Sequence, residues 1–524
     1  MVLKSLFVLT DEDLILRVRT DATVQYTLGT LGQSSQSVNE LTLSRFRTAL
    51  TLYEQETNIN LIKGLFEKVS EELKKIYLGT SLMRRVDSIM ISGGFRHLSR
   101  LQLAHTVNRN ALFTLKKANA DMEIPEGLEH YLNEFDENQV TYHSDKPQDE
   151  KLFTAFQDTV QIEQLFTEEL KTTEDYAYLT RFIDEQIVLD ETGSFQAIRD
   201  GKTLTSTAMY NPADPEGTIR KKAGVTHFGY VGCFAETVDQ DTNRKIIDSC
   251  DFKPNIHSET KFCAEELDRM HENGDTNILV GDGGFISQDL VDKAESYDIQ
   301  LIGTDLTGKD TSDQMADFSL DEETQEVVCP AGYKADRVSQ AKDKEFYHVS
   351  FFKEHKCNNL PHQKTCPLTS HKRVFSGKIS RKQINRARTQ RMMETEEFKT
   401  FYRFRNGVEA IPSQLRRVQR IDETAAPGFL RKKLWYTMAI TGINIRRAIR
   451  YGLEEGENSL SKGGVRPDKT RDHLIEGETA TKRGEKAESS DKISIQIIKT
   501  CEILIDFTIS RIFERVHSKI VYGI

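Results

Sequence analysis

One carboxylate stands inside an unusually basic stretch near the C-terminal third of the chain. Glu409 lies among Arg403, Arg405, Arg416, Arg417 and Arg420, in the spacing Tyr402-x2-Arg405-x3-Glu409-x6-Arg416. A glutamate so placed either forms salt bridges with its neighbours or serves as a metal ligand whose cationic neighbours hold phosphates. Phosphoryl transfer on a nucleic acid needs the second arrangement. Carboxylates suit hard cations such as Mg²⁺, and a pair of such ions clamps the attacking and leaving oxygens of an in-line displacement. A second acid stands where it could join it. Asp282 follows the apolar run NILVG and precedes Gly283 and Gly284, which predicts a carboxylate at the C-terminal end of a strand, where α/β sheets place ligands. The alternative is a turn aspartate that caps the next helix. Asp87 sits midway along the apolar stretch 81–92, where an acid taken alone reads as a cap at a buried edge.

The surrounding sequence predicts the elements that would carry these residues. Residues 10–80 read as helices, with Thr10-Asp11-Glu12-Asp13 as a capping start and apolar residues recurring at three and four. A second helical region spans about 97–190. THFGYVGCFAETVD and NRKIIDSCDF are β-rich runs joined at DQDT, a hairpin pattern. SETKFCAEELDRMHENG is a helix ending at Gly274, and NILVGDGGF, SQDLVDKAESY and IQLIGTDL then make a strand, a helix and a strand. That βαβ order implies a parallel pair.

Composition narrows the possibilities. The chain has 524 residues, of which 37% are hydrophobic and 29% charged, so several domains with real cores are expected. The net charge of −10 excludes a uniformly basic coat. Residues 371–450, however, carry 20 Lys and Arg against 6 Asp and Glu, which suggests a polyanionic partner held at one place on an acidic body. Seven cysteines without a C-x-x-C pair do not form a secreted disulfide framework, and a reducing cytoplasm is the expectation. The apolar run near the start is too short for a signal peptide, and no stretch approaches a membrane span.

The Tyr402, Arg405, Glu409 and Arg416 spacing resembles the Tyr-Arg-Glu-Lys signature of a large branch of bacterial insertion-sequence transposases, with Arg416 in place of the final lysine. The resemblance extends over about 10–450, through MRRVDSIMISGGFRHLSRLQL, GTIRKKAGVTHFGYVGCFAETVD, LVGDGGF, LIGTDLTGK, VVCPAG and RFRNGVEAIPSQLRR. It implies an Asp-Asp-Glu (DDE) transposase whose α/β catalytic core is RNase H-like, with Asp87, Asp282 and Glu409 as catalytic and metal-binding residues. Asp200 and Asp214 compete with Asp87 for the first position. Mg²⁺ or Mn²⁺ is the implied cofactor. Tyr402 and Arg405 would lie beside the reacting phosphate, and Arg416 and Arg417 would contact DNA backbone or form a solvated helix face. The implied partners are double-stranded DNA, at the terminal inverted repeats and the target, and a second copy of the chain in a homodimer. No membrane is implied, and the expected location is the bacterial cytoplasm, on the nucleoid when DNA-bound.

The implied organisation is a shortened helical DNA-binding region at 1–80, then a core at 81–304 with a helical insertion at about 97–190. A loop-rich insertion at 305–390 follows, and 391–452 completes the core with the Glu helix. Residues 453–492 are polar enough to be a disordered linker, and 493–524 form an amphipathic helix with Ile498, Cys501, Ile505, Ile509, Ile512 and Val516 on one face. Cys329, Cys357 and Cys366 fall where relatives carry a zinc-ribbon-like insertion. Leu360 occupies the place of a C-x-x-C partner to Cys357, so zinc would need His362 as fourth ligand. The chain departs from the family at Gly284 and Phe285, where Ala and Tyr are common, and 453–524 carry no resemblance. The alternative reading is a decayed or domesticated relative that binds DNA without cutting it.

Overall fold

The computed structural model describes residues 1–33, 38–143, 145–222, 224–274, 276–304, 310–340, 346–354, 366–423 and 428–461. Five helices open the chain: α1 (Val2–Phe7), α2 (Asp11–Thr20), α3 (Ala22–Thr27), α4 (Glu40–Thr57) and α5 (Leu61–Tyr77). The Thr10 start is a true capping box, in which the Thr10 hydroxyl accepts from the Asp13 amide and Asp13 reaches back to Thr10. Strand β1 (Leu82–Ser92) follows, then α6 (Arg100–Ala118), α7 (Asp136–Asn138), α8 (Gln148–Glu163) and α9 (Glu174–Gln186). A small hairpin, β2 (Ile187–Leu189) and β3 (Phe195–Ile198), leads to β4 (Thr218–Lys222), β5 (Val225–Asp239) and β6 (Lys245–Pro254). Next come α10 (Glu259–Asn273), β7 (Ile278–Val280), α11 (Gln288–Ser296) and β8 (Gln300–Ile302).

These strands form one mixed sheet in the order β6-β5-β1-β7-β8, with β4 also paired to β5. β5 runs antiparallel to both β1 and β6, whereas β1, β7 and β8 run parallel to one another. The side-chain period of two assigns the faces. Val86 of β1 packs with Val231, Cys233, Phe262 and Leu267 beneath α10 and α11. Ile89 and Ile91 face the other way, against Phe66, Tyr230, Phe234, Ile411, Leu415 and Tyr436. The sheet is therefore buried on both faces, and a residue's parity along β1 decides which layer it meets.

Close approach of β1 and β5 requires glycine at one point. Gly229 has φ +134°, and a Cβ there would lie 2.4 Å from the Gly93 amide nitrogen and 2.5 Å from the Ile91 carbonyl oxygen. Both contacts are backbone and cannot step aside. Gly229→Ala is expected to cost roughly 2–4 kcal/mol, read as a fall in the urea midpoint with an unchanged slope.

The helices α6, α8 and α9 bury a core of their own that includes Leu101, Leu112, Phe156 and Phe182. After β8 the chain differs from the loop-rich expectation for 305–390. It holds β9 (Ser319–Asp321), β10 (Glu326–Val328), β11 (Arg337–Gln340), β12 (Tyr347–Phe352), β13 (Thr369–Ser370) and β14 (Val374–Ile379). They pair as β10-β9 and as β11-β12-β14-β13, around Phe318, Val349, Phe351 and Phe375. Strands of two to six residues leave too short an alternation to be read before they pair. Helix α12 (Arg381–Met393) ends this segment, then α13 (Glu396–Asn406), α14 (Ala410–Arg417) and the long α15 (Phe429–Ser461). α15 thus runs through the start of the span expected to be a disordered linker. Nothing there breaks it, and Arg450 and Glu454 form an i,i+4 pair 3.7 Å apart. The rest of that linker, and the amphipathic helix expected at 493–524, lie outside the described residues. Among the described residues no helix is long and apolar enough to cross a membrane.

Candidate active site

The parallel pairing of β1 and β7 brings together the segments that carry two of the acids. Arg84 pairs with Leu279 and Arg85 with Val280. Extending that register by two residues brings Asp282 level with Asp87, and equal parity points both to one face of the sheet. Asp282 does cap the turn that follows, since its Oδ1 accepts from the Gly283 amide at 2.7 Å. Its Oδ2 remains directed elsewhere, 3.6 Å from the Arg405 Nη2. Asp282 therefore caps the turn with one oxygen and faces Arg405 with the other.

Glu409 arrives from the helical layer on that face. It is not in the middle of a regular helix as its sequence suggests. α13 stops at Asn406, a 3₁₀ turn covers Gly407–Glu409, and α14 resumes at Ala410. Pro412 is one cause, because it lacks the amide that would bond the Val408 carbonyl and its ring crowds that carbonyl. The second cause is contact with the sheet. A Cβ at Gly407 would lie 2.8 Å from Arg85 Nη1, so any side chain there would displace the Arg85 guanidinium from the turn. Arg85 in turn donates to the carbonyl of Phe404, one of the last in α13, which also accepts from the Gly407 amide.

Arg405 joins the acids. Its Nη1 donates to Glu409 Oε1 at 2.6 Å, one helical turn away, while Nη2 faces Asp282. The guanidinium is largely buried and the two carboxylates are about half exposed. Its Nε is buried without a partner among the described residues. Tyr402 stacks on Phe398 with ring centroids 5.5 Å apart, and Arg405 lies 5.9 Å from the Tyr402 ring centre. Tyr402, Arg405 and Glu409 thus share one helical face, as three- and four-residue spacing requires.

Asp87 completes the group electrostatically. Burial pushes its carboxyl up to about 6, and the nearby anions Asp282 and Glu409 push the same way, against the Ser88 amide and the Arg405 cation. The amide hydrogen bond is 2.8 Å. Asp200 and Asp214 stand elsewhere: Asp200 caps a 3₁₀ turn by accepting from the Lys202 amide, and Asp214 is buried against the Tyr230 hydroxyl. Because folding tightens proton binding at Asp87, its ionised form costs stability above pH 6. That cost fades as pH falls from about 6 towards 4. Asp87→Asn is therefore expected to stabilise the fold at about pH 7.5 by on the order of 2–3 kcal/mol and to make little difference at about pH 4. Thermal melts of both proteins across that range check this.

As the side chains stand, no three His, Cys, Asp or Glu groups among the described residues are gathered closely enough to hold a metal ion. Arg405 accounts for this at the acids, since its positive charge lies between Asp282 and Glu409. Carboxylates are the donors that suit a hard divalent cation, and in the structure Asp282 and Glu409 both face the Arg405 cation, with Asp87 within electrostatic reach.

Arg416 donates to the Met90 carbonyl at 3.1 Å and lies 3.5 Å from Asp422. Asp422 accepts from the Ser92 amide. Arg416 thus ties the end of β1 to the helical layer while half its surface stays exposed, and Arg417 is exposed. Cys329 and Cys366 lie in one cluster, half-buried and within electrostatic reach of each other. Cys357 and His362 lie outside the described residues.

Three positioning residues escaped the sequence reading. Arg85 donates through Nε to Glu236 Oε2 at 2.6 Å, and Arg447 donates to Glu236 Oε1 at 2.5 Å. All three are buried. The available signal was charge in the wrong place: Arg84, Arg85 and Glu236 interrupt runs that otherwise read as buried strand. A comparison of the chain with curated proteins finds no match. Residues 328–449, which include Tyr402, Arg405, Glu409 and Arg416 but neither Asp87 nor Asp282, match the family model described as Transposase DDE domain, and this match supports a transposase of the DDE type.

Proposed function

We propose that the chain is a DNA transposase that binds the terminal inverted repeats of an insertion sequence and catalyses metal-dependent strand cleavage and strand transfer. The observation that carries this reading is the meeting of Asp282 and Glu409 on Arg405, with Asp87 in electrostatic reach of all three. The core is RNase H-like: three antiparallel strands lie beside two parallel ones in the order β6-β5-β1-β7-β8, with α10 and α11 as crossovers. The Tyr402, Arg405, Glu409 and Arg416 set resembles the Tyr-Arg-Glu-Lys signature, with Arg416 in place of the lysine, and supports this reading.

Asp87, Asp282 and Glu409 would hold Mg²⁺ or Mn²⁺, which when bound activates water or a 3′-hydroxyl and neutralises charge on the leaving oxygen. Arg405 balances Asp282 and Glu409, and its guanidinium would be at hand for a phosphate beside them. Tyr402 fixes the Arg405 side chain from the preceding turn. Arg416 holds β1 and α14 together and offers its exposed edge, beside Arg417, to the DNA backbone. The protein works as a homodimer on the paired ends, in the bacterial cytoplasm.

A second reading, a relative that binds DNA without cutting it, draws on the Arg405 guanidinium filling the space between two of the acids. A plasmid carrying the DNA that flanks the reading frame separates them. End-specific nicking and joining in Mg²⁺, abolished by EDTA, supports the transposase. Retained binding at the ends with no cleavage in Mg²⁺ or Mn²⁺ supports the second reading and sinks the first.

A further inference from the structure

A cavity of about 400 Å³ opens beside Ala410, the residue after Glu409. Lys245, Arg446, Arg447 and Arg450 line it together with Ala410, Gln414 and Ile443, and among the described residues no carboxylate does. Lys245 starts β6, and the three arginines occupy one turn of α15, so strand and helix converge four cations on one space. Their neutralisation is incomplete. The buried Glu236 lies behind Arg447 and is shared with Arg85. Arg450 faces the exposed Glu454, at 3.7 Å. Arg446 Nη1 donates to the Ser5 and Leu6 carbonyls, while its Nη2 is buried without a partner among the described residues. Burial holds the Lys245 ammonium below its usual range, and the cations Arg85, Arg447 and Arg450 hold it down further, against the pull of Glu236.

Four cations that share one buried and one exposed carboxylate, with an arginine donor buried and unpaired among the described residues, make a site that a further anion completes. Forked guanidinium donors beside a point-charge ammonium suit a phosphate oxygen cluster. We propose that this cavity binds a phosphate group, and that its source is the backbone of the DNA strand leaving the Glu409 turn. The source of the phosphate rests on the function proposed above; the anion pocket does not.

The test uses the full-length protein, wild type and the Lys245→Gln/Arg450→Gln double variant, both positions being at least partly exposed. Affinity for a fluorescent duplex is measured between about 50 and 200 mM KCl, inorganic phosphate is titrated calorimetrically, and a thermal melt verifies folding. The expected result is an unchanged melt, lost phosphate binding, and a log–log salt slope shallower by about 0.9, the value for one phosphate contact. An unchanged slope together with lost phosphate binding overturns the DNA assignment in favour of a free anion. If neither changes, the pocket itself is overturned. Should the double variant melt early, Arg450→Gln alone carries the same readouts. Because the readouts need no cleavage, a wild-type protein that never cuts DNA yet shows the slope change leaves the pocket standing and removes only the catalytic reading.

Discussion

Asp282→Asn and Glu409→Gln are each expected to lower strand cleavage by roughly 10³-fold or more while leaving end binding within a few-fold of wild type. The reasoning is geometric. In the proposed site each carboxylate supplies charge that the other two cannot replace, because each comes from a different segment of the chain. Each amide is nearly isosteric, so the side-chain oxygen introduced by Asp282→Asn still caps the Gly283 turn. The fold is not what changes. Glu409→Gln also releases half of the Arg405 clamp, whose 2.6 Å bond is charge-assisted. Plasmid nicking measured beside duplex binding checks both variants. A loss of binding parallel to the loss of cleavage would mean that the acids organise the fold or the DNA surface rather than the chemistry.

The largest expected effect on stability belongs to Glu236→Ala. Glu236 is fully buried between Arg85 and Arg447, with its carboxyl held below the ordinary glutamate range by those two cations against the penalty of burial. Truncation leaves two buried guanidinium groups facing each other, and breaking a buried pair in this way costs about 3–5 kcal/mol. Arg85 then loses the partner that aims it at the Phe404 carbonyl, and the turn that carries Glu409 loses its seat on β1. Equilibrium urea unfolding is expected to show the full loss for Glu236→Ala and a smaller one for Glu236→Gln, which keeps the hydrogen bonds. Equal, small losses in both would mean that packing, not charge, holds this turn.

Some of this architecture is legible in sequence because local rules carry it. Asp282 stands out since an apolar run ends in a glycine turn, and the β5–β6 hairpin since two β-rich runs flank a polar turn. The 3₁₀ turn at Glu409 is foreshadowed by Pro412 three residues on, but the choice of Gly407 as the point of contact depends on Arg85, which is more than 300 residues earlier. The Arg85–Glu236–Arg447 set is equally non-local: three ordinary charges acquire meaning only when β1, β5 and α15 pack. The strands β9 to β14 are short enough that pairing, not periodicity, defines them. Conversely, α15 continues into a segment whose polarity reads as linker, because a helix already nucleated and packed extends cheaply through residues that contain no proline.

The central claim is that Asp87, Asp282 and Glu409 hold a divalent cation, and a crystal soaked in Mn²⁺ tests it most directly. The expected result is an anomalous peak in contact with Asp282 and Glu409 and within reach of Asp87, with the Arg405 guanidinium displaced from between them. Manganese absent from this site at millimolar concentration, with Arg405 still bonded to Glu409, would contradict the claim.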